Sequence, residues 1–87
     1  MASKQVLTTT QATSDLWKPD NVQQFVTVSA HSGGEWVVQV RTPDGEWVDL
    51  DVLFDDNGQK TFYTLRGWNY RLHGGTEGAK AWVTDSA

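Results

Sequence analysis

The chain has no cysteine. No disulfide can staple it and no thiolate can hold a metal ion, so the devices that small secreted domains usually depend on are missing. Basic residues are few: seven Lys and Arg stand against eleven Asp and Glu, giving a formal net charge of −4. Phosphate contacts need clustered cations, so this balance argues against a nucleic-acid partner. No apolar run approaches the length needed to cross a membrane. The opening stretch, MASKQVLTTTQATSD, lacks the apolar core of a secretory signal. The expectation is a soluble protein with no mark for export. Helical periodicity is also missing, since no segment sustains it over ten residues.

What remains is short and rich in tryptophan. Eighty-seven residues make one domain. A chain of this size buries only about 60–65% of the surface that its unfolded form exposes, so oligomerisation or docking on a partner would help to stabilise it. Five residues are Trp. Six of the eleven acids (Asp44, Glu46, Asp49, Asp51, Asp55 and Asp56) fall in one window that contains no basic residue. That window reads as a solvated negative face.

Composition divides the chain into an N-terminal arm, residues 1–20, and a β-sandwich domain, residues 21–87. The arm is rich in Thr, Ser and Gln and reads as one short strand over 5–10. Pro19 blocks helix continuation and sets Lys18 extended. Beyond Asn21 come stretches of alternating or β-branched residues at 22–30, 35–41, 46–54, 60–65, 69–73 and 79–84. Ser-Gly-Gly, Pro-Asp-Gly, Asp-Asn-Gly, Arg-Gly and Gly-Gly-Thr-Glu-Gly lie between them. Turn signals at such close spacing indicate an all-β fold, a small antiparallel sandwich or barrel of about six or seven strands.

The tetrapeptide Gly-Glu-Trp-Val occurs twice, at 34–37 and 45–48. A duplicated ligand motif and two glycine-initiated strands are the competing explanations. Pro43 presets φ for a type I turn, and Gly45 can take the left-handed conformation that closes a three-residue hairpin loop. A loop over 43–45 opposes Thr42 to Glu46, Val40 to Val48, Val38 to Leu50 and Trp36 to Val52. All the apolar members then face one way, as an in-register hairpin requires. The same register turns Arg41 and Trp47 outward as cross-strand partners, a favourable cation–π pair. Each copy is therefore a glycine turn followed by a strand start, with Trp36 in the core and Trp47 outside.

Little in the sequence suggests catalysis. His31 and His73 lie at strand ends beside glycine-rich turns, where a surface role is the ordinary one. The acidic run at 49–58 lacks the alternate acids, sixth-position Gly and twelfth-position Glu of a calcium loop. Its Asp56-Asn57-Gly58 reads as a hairpin turn using Asn-Gly for positive φ. The glycines of HGGTEGA lead into a strand rather than the helix that a phosphate loop needs. No enzyme activity, cofactor or metal is expected. The aromatics offer two alternatives: a stacking platform for sugar rings, or a core and a protein-contact surface, where aromatics are enriched. Protein contact is the favoured reading.

The run GEWVVQVRTPDGEWVDLD…YRLHGGTEGAKAWV resembles small β-sandwich virion proteins of tailed bacteriophages, namely capsid decoration (cement) and related head or tail accessory proteins. The likeness covers about residues 22–84 and is one of general style, so no ligand residue carries over. It implies a structural protein that binds and reinforces a capsid through protein–protein contacts. The implied partners are copies of itself, for example in a trimer, and a major capsid or other virion protein. It would be assembled in the bacterial cytoplasm and located in the virion. A tail or head–tail accessory subunit, and a carbohydrate-binding module using exposed Trp, are the alternatives. The residues expected at the partner contact are Val6, Leu7, Trp17, Arg41 and Trp47.

Overall fold

The computed structural model describes residues 3–19, 23–31 and 33–85. The boundary expected at Asp20–Asn21, the strand start at Val22, Ser32 of the Ser-Gly-Gly turn and the last two residues lie outside the described residues. Among the described residues there are seven strands: β1 (Ser3–Leu7), β2 (Gln23–Ser29), β3 (Gly34–Arg41), β4 (Trp47–Phe54), β5 (Gly58–Tyr63), β6 (Tyr70–Gly75) and β7 (Lys80–Asp85). They form two antiparallel sheets, one in the order β1-β7-β2-β5 and the other β4-β3-β6. The described residues contain no helix.

Period-two alternation places the core between the sheets. In β2, Gln24, Val26 and Val28 are buried, while Gln23, Phe25 and Thr27 turn outward. Val26 and Val28 stand opposite Val83 and Ala81 of β7, which are also buried. From the other sheet come Trp36, Val38, Phe54 and Leu72, none more than 2% exposed. Burying side chains of this size contributes roughly 1.5–3 kcal/mol each.

The β3–β4 hairpin closes as the sequence reading requires. Gly45 donates its N–H to the Thr42 carbonyl at 2.9 Å, Thr42 donates to the Glu46 carbonyl at 2.8 Å, and Gly45 has φ +92°. Arg41 opposes Trp47 and Val40 opposes Val48. The register then slips. Trp36 pairs with Phe54, not Val52, because β4 carries extra residues between Asp49 and Leu53. Such a bulge bends the strand and raises its twist. Only the far half of this edge strand is buried, at Val52 and Phe54. Leu50 is half-buried, and Val48, expected in the core, is 45% exposed.

Asp56-Asn57-Gly58 does not close a hairpin. β4 and β5 belong to different sheets, and β5 pairs with β2. The segment is a corner between layers, and neither Asn57 nor Gly58 has positive φ. Asn57 accepts the His31 N–H at 2.8 Å, and Lys60 lies over the Phe54 ring at 5.3 Å while bonding to the Leu53 carbonyl.

The N-terminal segment is part of the sandwich. β1 pairs with β7, and Val6 and Leu7 are 1% and 0% exposed. Residues 13–17 then run along the free edge of β6. Ser14 donates its N–H to the Leu72 carbonyl at 3.0 Å, and Trp17 and Tyr70 exchange backbone bonds at 3.0 and 2.9 Å. The Trp17 ring stacks on Tyr70, and its Nε1 donates to Oε1 of buried Gln24 at 3.0 Å. This segment thus covers one edge of each sheet, satisfying backbone groups that would otherwise face solvent.

Candidate functional site

The outer face of the three-stranded sheet carries a polar ladder. Gln39 of β3 lies between Asp49 of β4 and Arg71 of β6 in register. Its Nε2 donates to Asp49 Oδ1 at 2.6 Å, and its Oε1 accepts from Arg71 Nε at 2.8 Å. Arg71 reaches across β3 to stack on the Trp47 ring, 4.0 Å from the centroid. Trp47 therefore does turn outward, but its cation is Arg71, not Arg41. The guanidinium covers both the indole and the Gln39 amide, which explains why Gln39 is buried on the outside of a sheet.

Arg41 is exposed at the end of the same face. With Thr42, Pro43 and Gly45 it forms one wall of an open cleft of about 350 Å³, and Gly67, Trp68 and Asn69 form the other. The Arg41 N–H holds the Asn69 carbonyl at 2.9 Å and fixes the two loops together. Among the described residues no carboxylate pairs with the Arg41 guanidinium. The nearby Asp44 is engaged in its own turn, where a hydrogen bond from the Thr42 hydroxyl, more than the backbone N–H groups, holds its carboxyl below the usual range.

The outer face of the four-stranded sheet differs in chemistry. One row runs Gln5, Trp82, Thr27, Gln59 across the four strands. The next runs Ser3, Thr84, Phe25, Thr61, and beyond it Gln23 opposes Tyr63. No charged side chain interrupts these rows. Tyr63 is 79% exposed, and Trp82 and Phe25 are half-buried.

Of the residues expected to touch a partner, Arg41 and Trp47 lie together on the outer face. Val6, Leu7 and Trp17 do not join them, because they are packed in this chain's own core at 4% exposure or less. Arg71 and Gln39 were not singled out from sequence. Their only signal was outward parity in two strands, and their meeting depends on β6 lying beside β3. The histidines shape loops: His31 accepts the Gly33 N–H at Nδ1, leaving Nε2 to donate to the Gly34 carbonyl at 3.0 Å, and His73 bonds to the Thr13 hydroxyl at 3.0 Å. Among the described residues no three His, Asp or Glu side chains gather to hold a metal ion. Comparison of the chain with protein-family models, with curated proteins and with solved structures gave no match.

Proposed function

We propose that this chain is a structural protein of a tailed-phage virion, a small sandwich that docks on a capsid or neighbouring virion protein and reinforces it without chemistry of its own. The observation that carries the reading is the Trp47–Arg71–Gln39–Asp49 ladder beside free Arg41. Tryptophan and arginine are the side chains that most often anchor protein interfaces. Here the indole and guanidinium are held in place by the sheet beneath, so little rotamer freedom is lost on docking. The adjoining cleft gives Arg41 room to receive an acidic or amide side chain. The resemblance of residues 22–84 to phage decoration and accessory proteins supports the same reading and suggests self-association as well.

The test is co-sedimentation with virion heads lacking this protein, using the full chain and its Trp47→Ala and Arg71→Ala variants. Loss of binding in both variants, with unchanged thermal unfolding, supports the assignment. Binding at wild-type level in both would overturn it, and sedimentation equilibrium of the free chain reads the self-association.

A further inference from the structure

The face opposite the polar ladder has its own pattern. Trp82, Phe25 and Tyr63 stand on the adjacent strands β7, β2 and β5, each one row further along than the last. Phe25 opposes Thr84 and Thr61, Trp82 opposes Thr27, and Tyr63 opposes Gln23. Diagonal neighbours on a sheet are about 7–8 Å apart, so the three rings form a straight strip about 15 Å long. Hydrogen-bonding groups flank each ring: Gln5 and Thr27 beside Trp82, Thr84 and Thr61 beside Phe25. The Gln59 amide donates to the Thr27 hydroxyl at 2.9 Å, and the Ser3 and Thr84 hydroxyls meet at 2.8 Å, so part of this polar fringe is already oriented.

From this geometry we infer that the face is a binding platform for a neutral, flat polysaccharide chain of β-1,4-linked pyranose rings. Such rings present apolar C–H faces that stack on aromatic rings, and equatorial hydroxyls that reach sideways to amides and hydroxyls. A straight strip fits an extended ribbon rather than a helical glycan. The rings and their flanking rows carry no charge, and Lys80, which opposes Ser29 one row beyond Trp82, lies off the end of the strip, so the platform favours a neutral ligand. A short glycan fits within the sheet's own area, whereas a protein partner would have to reach beyond it, as it must at the polar ladder of the smaller sheet. Four strands at about 4.8 Å spacing and five residues at about 3.4 Å rise give roughly 19 by 17 Å, on the order of 300 Å². A stable protein interface buries about 800 Å² per partner. A few stacked sugar rings need no more than this strip provides.

This inference is independent of the docking proposed for the opposite sheet, and one variant set separates them. The full chain is titrated with cellohexaose, chitohexaose and maltohexaose, following amide and indole resonances. Cellohexaose or chitohexaose should shift Trp82 and the strands on either side of it, with maltohexaose weaker. Tyr63→Ala, at a site too exposed to disturb the fold, and Trp82→Ala should each weaken binding by about fivefold or more. Trp47→Ala should leave it unchanged. The proposal is overturned if neither flat oligosaccharide moves these resonances, if maltohexaose binds as tightly, or if Tyr63→Ala and Trp82→Ala alter self-association instead of glycan binding.

Discussion

The indole of Trp36 lies against the backbone of Gly75. A Cβ placed on Gly75 would come within 1.9 Å of Trp36 Cε2. Trp36 is the largest fully buried side chain, and its Nε1 is buried without a partner. Glycine is needed at 75 for close approach and not for turn geometry. Gly75→Ala should therefore cost about 3 kcal/mol or more, since the ring cannot move in a packed core without displacing its neighbours. Adding Trp36→Phe should recover part of that loss by shortening the ring and removing the unpaired N–H. A double-mutant cycle by urea unfolding checks this, and additive losses would count against the contact.

The N-terminal segment contributes to folding as well as covering edges. Trp17→Ala should cost about 3–5 kcal/mol, the usual range for truncating a buried large aromatic. Deleting residues 1–16 removes Val6 and Leu7 and bares the β6 and β7 edges, so the remainder should not fold cooperatively. Circular dichroism of the truncated chain decides the point. A cooperative transition near the full-length midpoint would show that the segment is dispensable.

Two glycines should respond in opposite directions. Gly45 has φ +92°, and a Cβ there would meet nothing closer than 3.7 Å, so Gly45→Ala tests backbone strain alone. It should cost about 1–2 kcal/mol, the penalty for an L-residue in that region. Gly58 lies in ordinary backbone with nothing within 4 Å of its added Cβ. Gly58→Ala should stabilise by about 0.4–1 kcal/mol through the unfolded chain. Thermal unfolding of both variants reads the contrast.

Asp44 should give the β3–β4 turn a pH dependence. Its carboxyl is held below the ordinary value of 3.8, chiefly by the Thr42 hydroxyl. A depressed folded pKa means that the contribution is present above the unfolded value. It is lost as pH falls through 3.8 toward the lower folded value. Chemical shifts of Gly45 and Glu46 should report local loosening in that window, and Asp44→Asn should abolish the titration.

The Arg71–Trp47 stack should matter little to stability. Arg71→Gln removes a surface cation–π contact worth about 0.5–1 kcal/mol together with the Nε–H bond to Gln39 Oε1. It should lower unfolding stability by about 1 kcal/mol, since water reaches the Gln39 amide once the guanidinium is gone. A larger loss would mean that the ladder supports the fold as well as the surface.

The seven strands were legible because alternation and turn glycines are local properties. Trp36, Val38 and Val40 share a face by parity alone, and Pro43-Asp44-Gly45 has few ways to turn. Local alternation likewise turns Trp82 away from Ala81 and Val83. Which strands become neighbours was not written locally. Gln39, Asp49 and Arg71 meet only because β6 docks on β3. The Trp82–Phe25–Tyr63 strip exists only because β7, β2 and β5 are adjacent in that order. The bulge that slips Trp36 from Val52 to Phe54 preserves parity, so no hydrophobic pattern could reveal it. Val6, Leu7 and Trp17 looked spare within a polar segment. Only the folded chain shows that this domain's core is incomplete without them, because burial is a property of all the elements together and not of any one stretch.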